Sequence, residues 1–230
     1  NSLLCSLDAD TILSKQYLSI INNFFYNNSI KACTVNFKHQ QSKDKEVEKG
    51  IRIYEAELKR IASKLLEAKS PYGYVSMGST IVCRVSAYIA VCGMPKKAVT
   101  EDFYFLQSLA KFTKIHFIKN ILVFPSSRCE QRVYLGTGAR MKEYIEYKKF
   151  KNIHYSSRAY QLLNFFLNLA NKYSMKNYSN INNEIKNLSN QKLIKFLQKN
   201  QFQLIWNDIK SSAKTHKQFN LFFNQWFDAL

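Results

Sequence analysis

Two carboxylates one residue apart, Asp8 and Asp10, close an apolar run of Leu3, Leu4, Cys5 and Leu7. Hard divalent cations take oxygen ligands, so an acid pair fixed on the tip of a strand can hold Mg2+ or Mn2+. The run reads as a buried strand, and Ile12, Ile20, Ile21 and Phe24 continue it in a helical pattern, which places the acids at a strand-to-helix turn. In open α/β sheets ligands bind at that carboxyl edge. A second acid pair, Glu101-Asp102, follows Thr100 at the head of a helix over residues 103–112. A third group is cationic. Arg128, Arg132 and Arg140 fall in a stretch over 126–140 that also holds Gly136-Thr137-Gly138, and it reads as an ordered functional loop. Guanidinium groups and glycine-flanked backbone amides suit a diphosphate or an acidic acceptor.

Each group also has a plainer reading. Asp10 can cap the helix that follows, as Thr100 can cap its own. Glu101 and Asp102 can oppose the positive end of a helix macrodipole, worth about 0.3 to 1 kcal/mol. At a helix start Asp102 is expected to stay ionised. The arginines can form surface ion pairs of roughly 0 to 1 kcal/mol each. His116, beside a strand, reads as structural rather than as a ligand.

The elements that must position these groups alternate along the chain. Residues 30–37 mix β-branched and apolar types as a strand does, and the polar stretch 39–49 reads as a loop. Ile51, Tyr54, Leu58, Ile61 and Leu65 recur at steps of three and four, which predicts an amphipathic helix ending before Pro71. A turn over 71–74 precedes a segment over 75–82 interrupted at Gly78-Ser79. A short helix over 86–91, a turn over 92–95 and a strand or pair of short strands over 115–124 follow. Beyond about residue 142 the pattern is helical, as in Tyr160, Leu163, Leu167 and Ala170, with a break expected in the Asn-rich stretch 177–183. The aromatic end, Phe219, Phe222, Phe223, Trp226 and Phe227, reads as a helix packed on its own domain, with an interfacial membrane helix as the alternative.

Composition bounds the rest. The 230 residues are 46% hydrophobic, enough for a packed core, and no run approaches the roughly 18 to 20 apolar residues needed to span a bilayer. A net charge of +18 brings a nucleic-acid-binding module into view. The lysines are scattered, however, and accompany abundant Asn, Ile, Tyr and Phe, the mixture that low-GC coding produces. That scatter reads as a solvated surface rather than a binding stripe, so no nucleic acid is expected as a partner. Five cysteines without a CxxC pair read as free thiols in a reducing, cytoplasmic compartment.

The acids, Ser70-Pro71-Tyr72, Met77-Gly78-Ser79, Gly93-Met94, Glu101-Asp102-Phe103-Tyr104-Phe105-Leu106, Ser126-Ser127-Arg128 and Gly136-Thr137-Gly138 follow one another in order. In that combination the chain resembles the family 2 glycosyltransferases, inverting enzymes of the GT-A fold, and within them a bacterial subgroup. The resemblance covers about residues 3–141. It implies a Rossmann-like α/β core as a catalytic domain over 1–141 and a helical region over 142–230. It further implies a divalent metal on Asp8 and Asp10, and Asp102 as the base with Glu101 beside it. Donor contacts fall on Gly78, Ser79, Arg128, Arg132, Gly136, Thr137 and Gly138. The expected partners are a nucleotide-sugar donor and a glycan or lipid-linked acceptor, with peripheral contact on the inner face of the membrane. Two departures stand out: Cys92-Gly93 replaces a frequent Gly-Gly, and Gln131-Arg132-Val133 lacks the Q-x-x-R-W signature of processive members. The family's first strands, which cradle the nucleoside, are not in this sequence, so the core is expected to be partial. Rival expectations are the nucleic-acid module and a non-catalytic scaffold of the same fold.

Overall fold

The computed structural model describes residues 2–26, 29–130, 134–151 and 154–228. The chain divides into two compact units, one of residues 1–66 and 71–155, the other of residues 67–70 and 156–230.

The first unit is α/β. Its strands β1 (Leu3–Cys5), β2 (Ile12–Leu13), β3 (Ala32–Phe37), β4 (Ile81–Arg84) and β5 (Ile115–Phe124) form one mixed sheet in the order β1-β4-β3-β5-β2. Only β3 and β5 pair in parallel, while β1 with β4, β4 with β3 and β2 with β5 are antiparallel. It follows that β1, β3 and β5 run the same way and share a carboxyl edge. Helices α1 (Tyr17–Phe25), α2 (Lys45–Glu67), α3 (Val85–Ala90), α4 (Glu101–Phe112) and α5 (Thr137–Tyr147) complete the unit.

Alternation splits the strands between two cores. Cys33, Val35 and Phe37 meet Tyr17, Ile21 and Phe25 of α1 in one, while Ala32, Ile81 and Cys83 meet Phe105, Leu106 and Leu109 of α4 in the other. A third cluster joins Val47, Ile51 and Tyr54 of α2 to Met141 and Tyr144 of α5. Gly50 permits that approach, since a Cβ there would lie 2.4 Å from Tyr144 Cδ1.

Several expectations need correction. The first strand is not buried: β1 is an edge strand paired only with β4, and Leu4 and Leu7 are exposed. Ile12 lies in β2, not in a helix, so the acids sit in a strand-to-strand turn. The polar stretch 39–49 is shorter as a loop, because Asp44 Oδ1 accepts from Glu46 N at 2.8 Å and caps α2, which starts at Lys45, six residues before Ile51 opens the apolar spacing. Thr100 occupies the N-cap position of α4 in a left-handed conformation (φ 63) without capping it; its hydroxyl donates to Val99 O at 2.6 Å. The loop expected to run to Arg140 ends at Gly136, where α5 begins. Because Met141 and Tyr144 bury their side chains against α2, α5 belongs with the sheet, and the units divide after residue 155 rather than 141.

The second unit is helical, with α6 (Ser157–Lys172), α7 (Tyr178–Asn187), α8 (Gln191–Lys199), α9 (Phe202–Ser212) and α10 (His216–Phe227). Ser156, Asn190 and Thr215 cap three of them through their side chains. The Asn-rich stretch is helix rather than break, because Ile181 and Ile185, one turn apart, are both buried in the core. Residues 67–70 join this unit through Asn164 Nδ2 donating to Glu67 O at 2.7 Å. Trp206, wholly buried, meets Phe219 edge-on with centroids 4.8 Å apart and donates from Nε1 to Lys176 O at 3.0 Å. Phe219 and Phe223 of the aromatic end are thus core residues. Among the described residues no helix is long and apolar enough to cross a membrane.

Candidate active site

The carboxyl edge shared by β1, β3 and β5 carries the acids. Asp8 and Asp10 lie in the turn from β1 to β2, closed by Thr11 N donating to Asp8 O at 3.0 Å. Ser79 holds that turn from beneath. It sits, wholly buried, in a single 3-10 turn (Gly78–Thr80) at the start of β4, and its hydroxyl donates to Asp8 Oδ2 at 2.6 Å. The Ser79 oxygen in turn accepts from Asp8 N at 3.2 Å and lies 2.7 Å from Thr11 Oγ1. Since its one proton goes to Asp8, Thr11 is the donor in the last contact.

Asp10 is fixed by different groups. Gln40, just past β3, donates from Nε2 to Asp10 O and to Phe124 O, each at 2.8 Å, tying the turn to the end of β5. The Asp10 carboxylate is ion-paired with the Arg128 guanidinium, which the chain delivers four residues after β5. Asp10 caps no helix; the N-cap position of α1 is held by Gln16.

A cavity of about 200 Å3 joins these groups to two others. Asp8, Asp10, Gly78, Asp102, Ser126, Arg128, Glu130 and the start of α5, Gly136 to Ala139, all line it. Asp102 arrives on the first turn of α4, anchored by Phe105, Leu106 and Leu109 in the core. Gly136 has φ +96, a backbone conformation that favours glycine, and its position at the head of α5 brings no side-chain cap to the helix. First-turn N–H groups without an acceptor inside the helix suit an anion.

Burial pushes the Asp102 carboxyl up from its ordinary value, and the negative charges of Glu101 and Asp8 push it further, against a hydrogen bond of 2.7 Å from Phe103 N. The helix start alone would lower the value, and desolvation outweighs the amide contact. Arg132 lies outside the described residues. Glu101 and Ser79 do not line the cavity; Ser79 positions Asp8 instead. Arg140 is turned to structural work, pairing with Glu143 at 2.9 Å. His116 lies in β5 opposite Cys33, edge-on to Phe24 and away from the cavity lining.

Spacing does not reveal Gln40 or Glu130. Glu130 shares the stretch of Arg128, which was its only signal. Gln40 becomes relevant only once β3 is known to lie beside β5.

The donor set can be tested against a divalent metal. Among the described residues no three of His, Cys, Asp and Glu cluster closely enough to make a cage of protein ligands. Four carboxylates against one guanidinium nevertheless line the cavity among the described residues, which favours a cation. Magnesium-type ions are commonly held by one or two carboxylates, with substrate phosphates completing the shell. Asp8 and Asp10 fit that kind of site. No family model, curated protein or solved structure matches the chain.

Proposed function

We propose that the first unit is the catalytic part of an inverting glycosyltransferase, moving a sugar from a nucleotide-diphosphate sugar to an acceptor hydroxyl. One observation carries this reading: Asp8, Asp10 and Asp102, distant in sequence, line one cavity with Arg128 and the first turn of α5. The reading takes the mixed sheet as the later part of a GT-A-like core and the second unit as its helical extension. A glycan or lipid-linked acceptor and contact with the inner face of a membrane belong to the same proposal.

Inversion needs one base and a stabilised leaving group. Asp102 takes the proton from the acceptor hydroxyl, and its burial strengthens its hold on that proton. A well-placed base of this kind contributes about 10²- to 10⁴-fold. Asp8 and Asp10 would hold Mg2+ or Mn2+, whose charge neutralises the departing diphosphate. Arg128, the ion-pair partner of Asp10, has the guanidinium fork to bind diphosphate oxygens, and the amides of Thr137, Gly138 and Ala139 add donors. Ser79 keeps Asp8 in one rotamer through the bond to Oδ2.

The test is a panel of nucleotide-sugars with Mn2+, scored by release of nucleoside diphosphate in the wild type, Asp102→Asn and Asp10→Asn. Turnover should fall by about 10²-fold or more in Asp102→Asn with donor binding kept, whereas Asp10→Asn should weaken both. Equal turnover in Asp102→Asn would remove it as the base.

A further inference from the structure

The two acids in the turn from β1 to β2 are held by different chemistry. Asp8 is met by a neutral group: the Ser79 hydroxyl donates to its Oδ2 at 2.6 Å, and among the described residues no cationic side chain pairs with it. Its charge stays available to a cation. The Asp10 carboxylate instead accepts from Arg128 Nη1, 118 residues away in sequence. A divalent ion that takes both acids meets that pair, because Arg128 holds one Asp10 oxygen and repels the ion as a like charge.

The fold does not lock Arg128 in this contact. Its side chain and that of Asp10 are each 35% exposed, and the contact runs through Nη1 to Oδ2 rather than through both arms of the fork. Ion pairs of that exposure are weak and exchange partners readily. The same cavity offers an anion a second place, the first turn of α5, which carries neither a side-chain cap nor an acidic residue. Its first N–H groups suit the oxygens of a diphosphate. A diphosphate there carries more charge than any one carboxylate of the lining, Glu130 included, and its oxygens match the guanidinium fork.

We propose that Arg128 is an exchange residue, which holds Asp10 against a cation that arrives alone and passes to the diphosphate when cation and diphosphate arrive together. The inference rests on the glycosyltransferase reading of this cavity and adds how the site is filled. Cation and diphosphate then bind as a pair, and by linkage each tightens the other by the same factor. The cavity thereby selects a nucleoside diphosphate that comes with its cation over either one alone.

Titrations of the whole chain with Mn2+ alone and with Mn2+ plus uridine diphosphate, followed by electron paramagnetic resonance, test the exchange. In the wild type Mn2+ alone should bind weakly, and the diphosphate should tighten it by about tenfold or more beyond what the two reach in buffer. Arg128→Gln should bind Mn2+ alone about threefold to tenfold more tightly than the wild type, since Asp10 is released and a repelling charge is gone, and the enhancement by diphosphate should shrink by a similar factor. Adding Asp10→Asn to Arg128→Gln should cancel the gain. Arg128→Lys keeps the charge and loses the fork, so it should stay close to the wild type with Mn2+ alone and lose enhancement. Equal affinity for Mn2+ alone in wild type and Arg128→Gln, a gain that survives Asp10→Asn, or an enhancement undiminished in Arg128→Gln would each overturn the proposal. With the enhancement present in the wild type, those results leave the catalytic reading standing. No enhancement in the wild type overturns that reading and the proposal with it.

Discussion

The two units fill their interiors with different chemistry. Among the described residues, the first buries Thr34, His39, Glu55, Glu57, Ser79, Thr80 and Arg84 with its apolar side chains, whereas Ser174 is the polar residue that the second buries. Buried polar groups are costly unless bonded, so a fold that keeps them is using them to hold something in place. In the first unit Ser79, His39 and Glu55 serve the carboxyl edge, whereas Arg84 donates to Phe25 O and Ile30 O and Glu57 pairs with Arg60. Ser79 holds Asp8, and Glu55 holds the exit of β3 through His39 Nδ1 at 2.9 Å and Arg52 at 3.0 Å, from which Gln40 reaches Asp10. The second unit depends instead on ring packing around Trp206. Damage in the second unit should therefore read as lost stability alone, and damage in the first as lost positioning as well as lost stability.

The largest stability effect is expected from Trp206→Ala. Removing that side chain should cost about 3–5 kcal/mol, seen as early thermal unfolding of the second unit by near-ultraviolet circular dichroism. A shift in the pH profile of the first unit's chemistry would break the comparison. Glu55→Gln should cost about 1–3 kcal/mol at neutral pH, measured by denaturant unfolding. Burial alone would push the Glu55 carboxyl up, but the hydrogen bonds from His39 and Arg52 win and hold it below its ordinary value. Its stabilisation is thus present above the unfolded-state value and is lost as pH falls through the folded one. Wild type and Glu55→Gln should converge in acid.

The smallest effect has the opposite sign. Asp102 is pushed up by burial and by its acidic neighbours, so ionisation disfavours the folded state. Stability falls as pH rises from the ordinary aspartate range through the raised folded value, and the deficit persists at neutral pH. Asp102→Asn should therefore unfold at a slightly higher temperature than wild type at pH 7, by under about 1 kcal/mol, while losing turnover. Lower stability in Asp102→Asn at pH 7 would show that its carboxylate is structural.

Much of the fold was legible where one signal dominated. The step of three and four from Ile51 to Leu65 located most of α2, and Pro71 marked its end, because periodicity and a proline act locally. Local signals failed where pairing decided. Leu3 to Leu7 is apolar enough for a buried strand, yet β1 lies at an edge. Ile12 fits a helix by spacing, yet pairs with Phe124. The acids themselves stood out by type and order, but the groups that fix them did not. Gln40 and Ser79 act across gaps of 30 and 71 residues, set by the strand order and by no periodicity. The upward shift of Asp102 was equally hidden, since helix position alone would lower the value and only packing shows the burial that raises it.

Mn2+ binding followed by electron paramagnetic resonance separates a cation site for a diphosphate at Asp8 and Asp10 from a base at Asp102. The probe is uridine diphosphate, added to the whole chain. Wild type and Asp102→Asn should quench the free Mn2+ signal alike and only when the diphosphate is present, and Asp10→Asn should lose at least about tenfold in affinity. Undiminished binding in Asp10→Asn, or none in the wild type, would contradict the account.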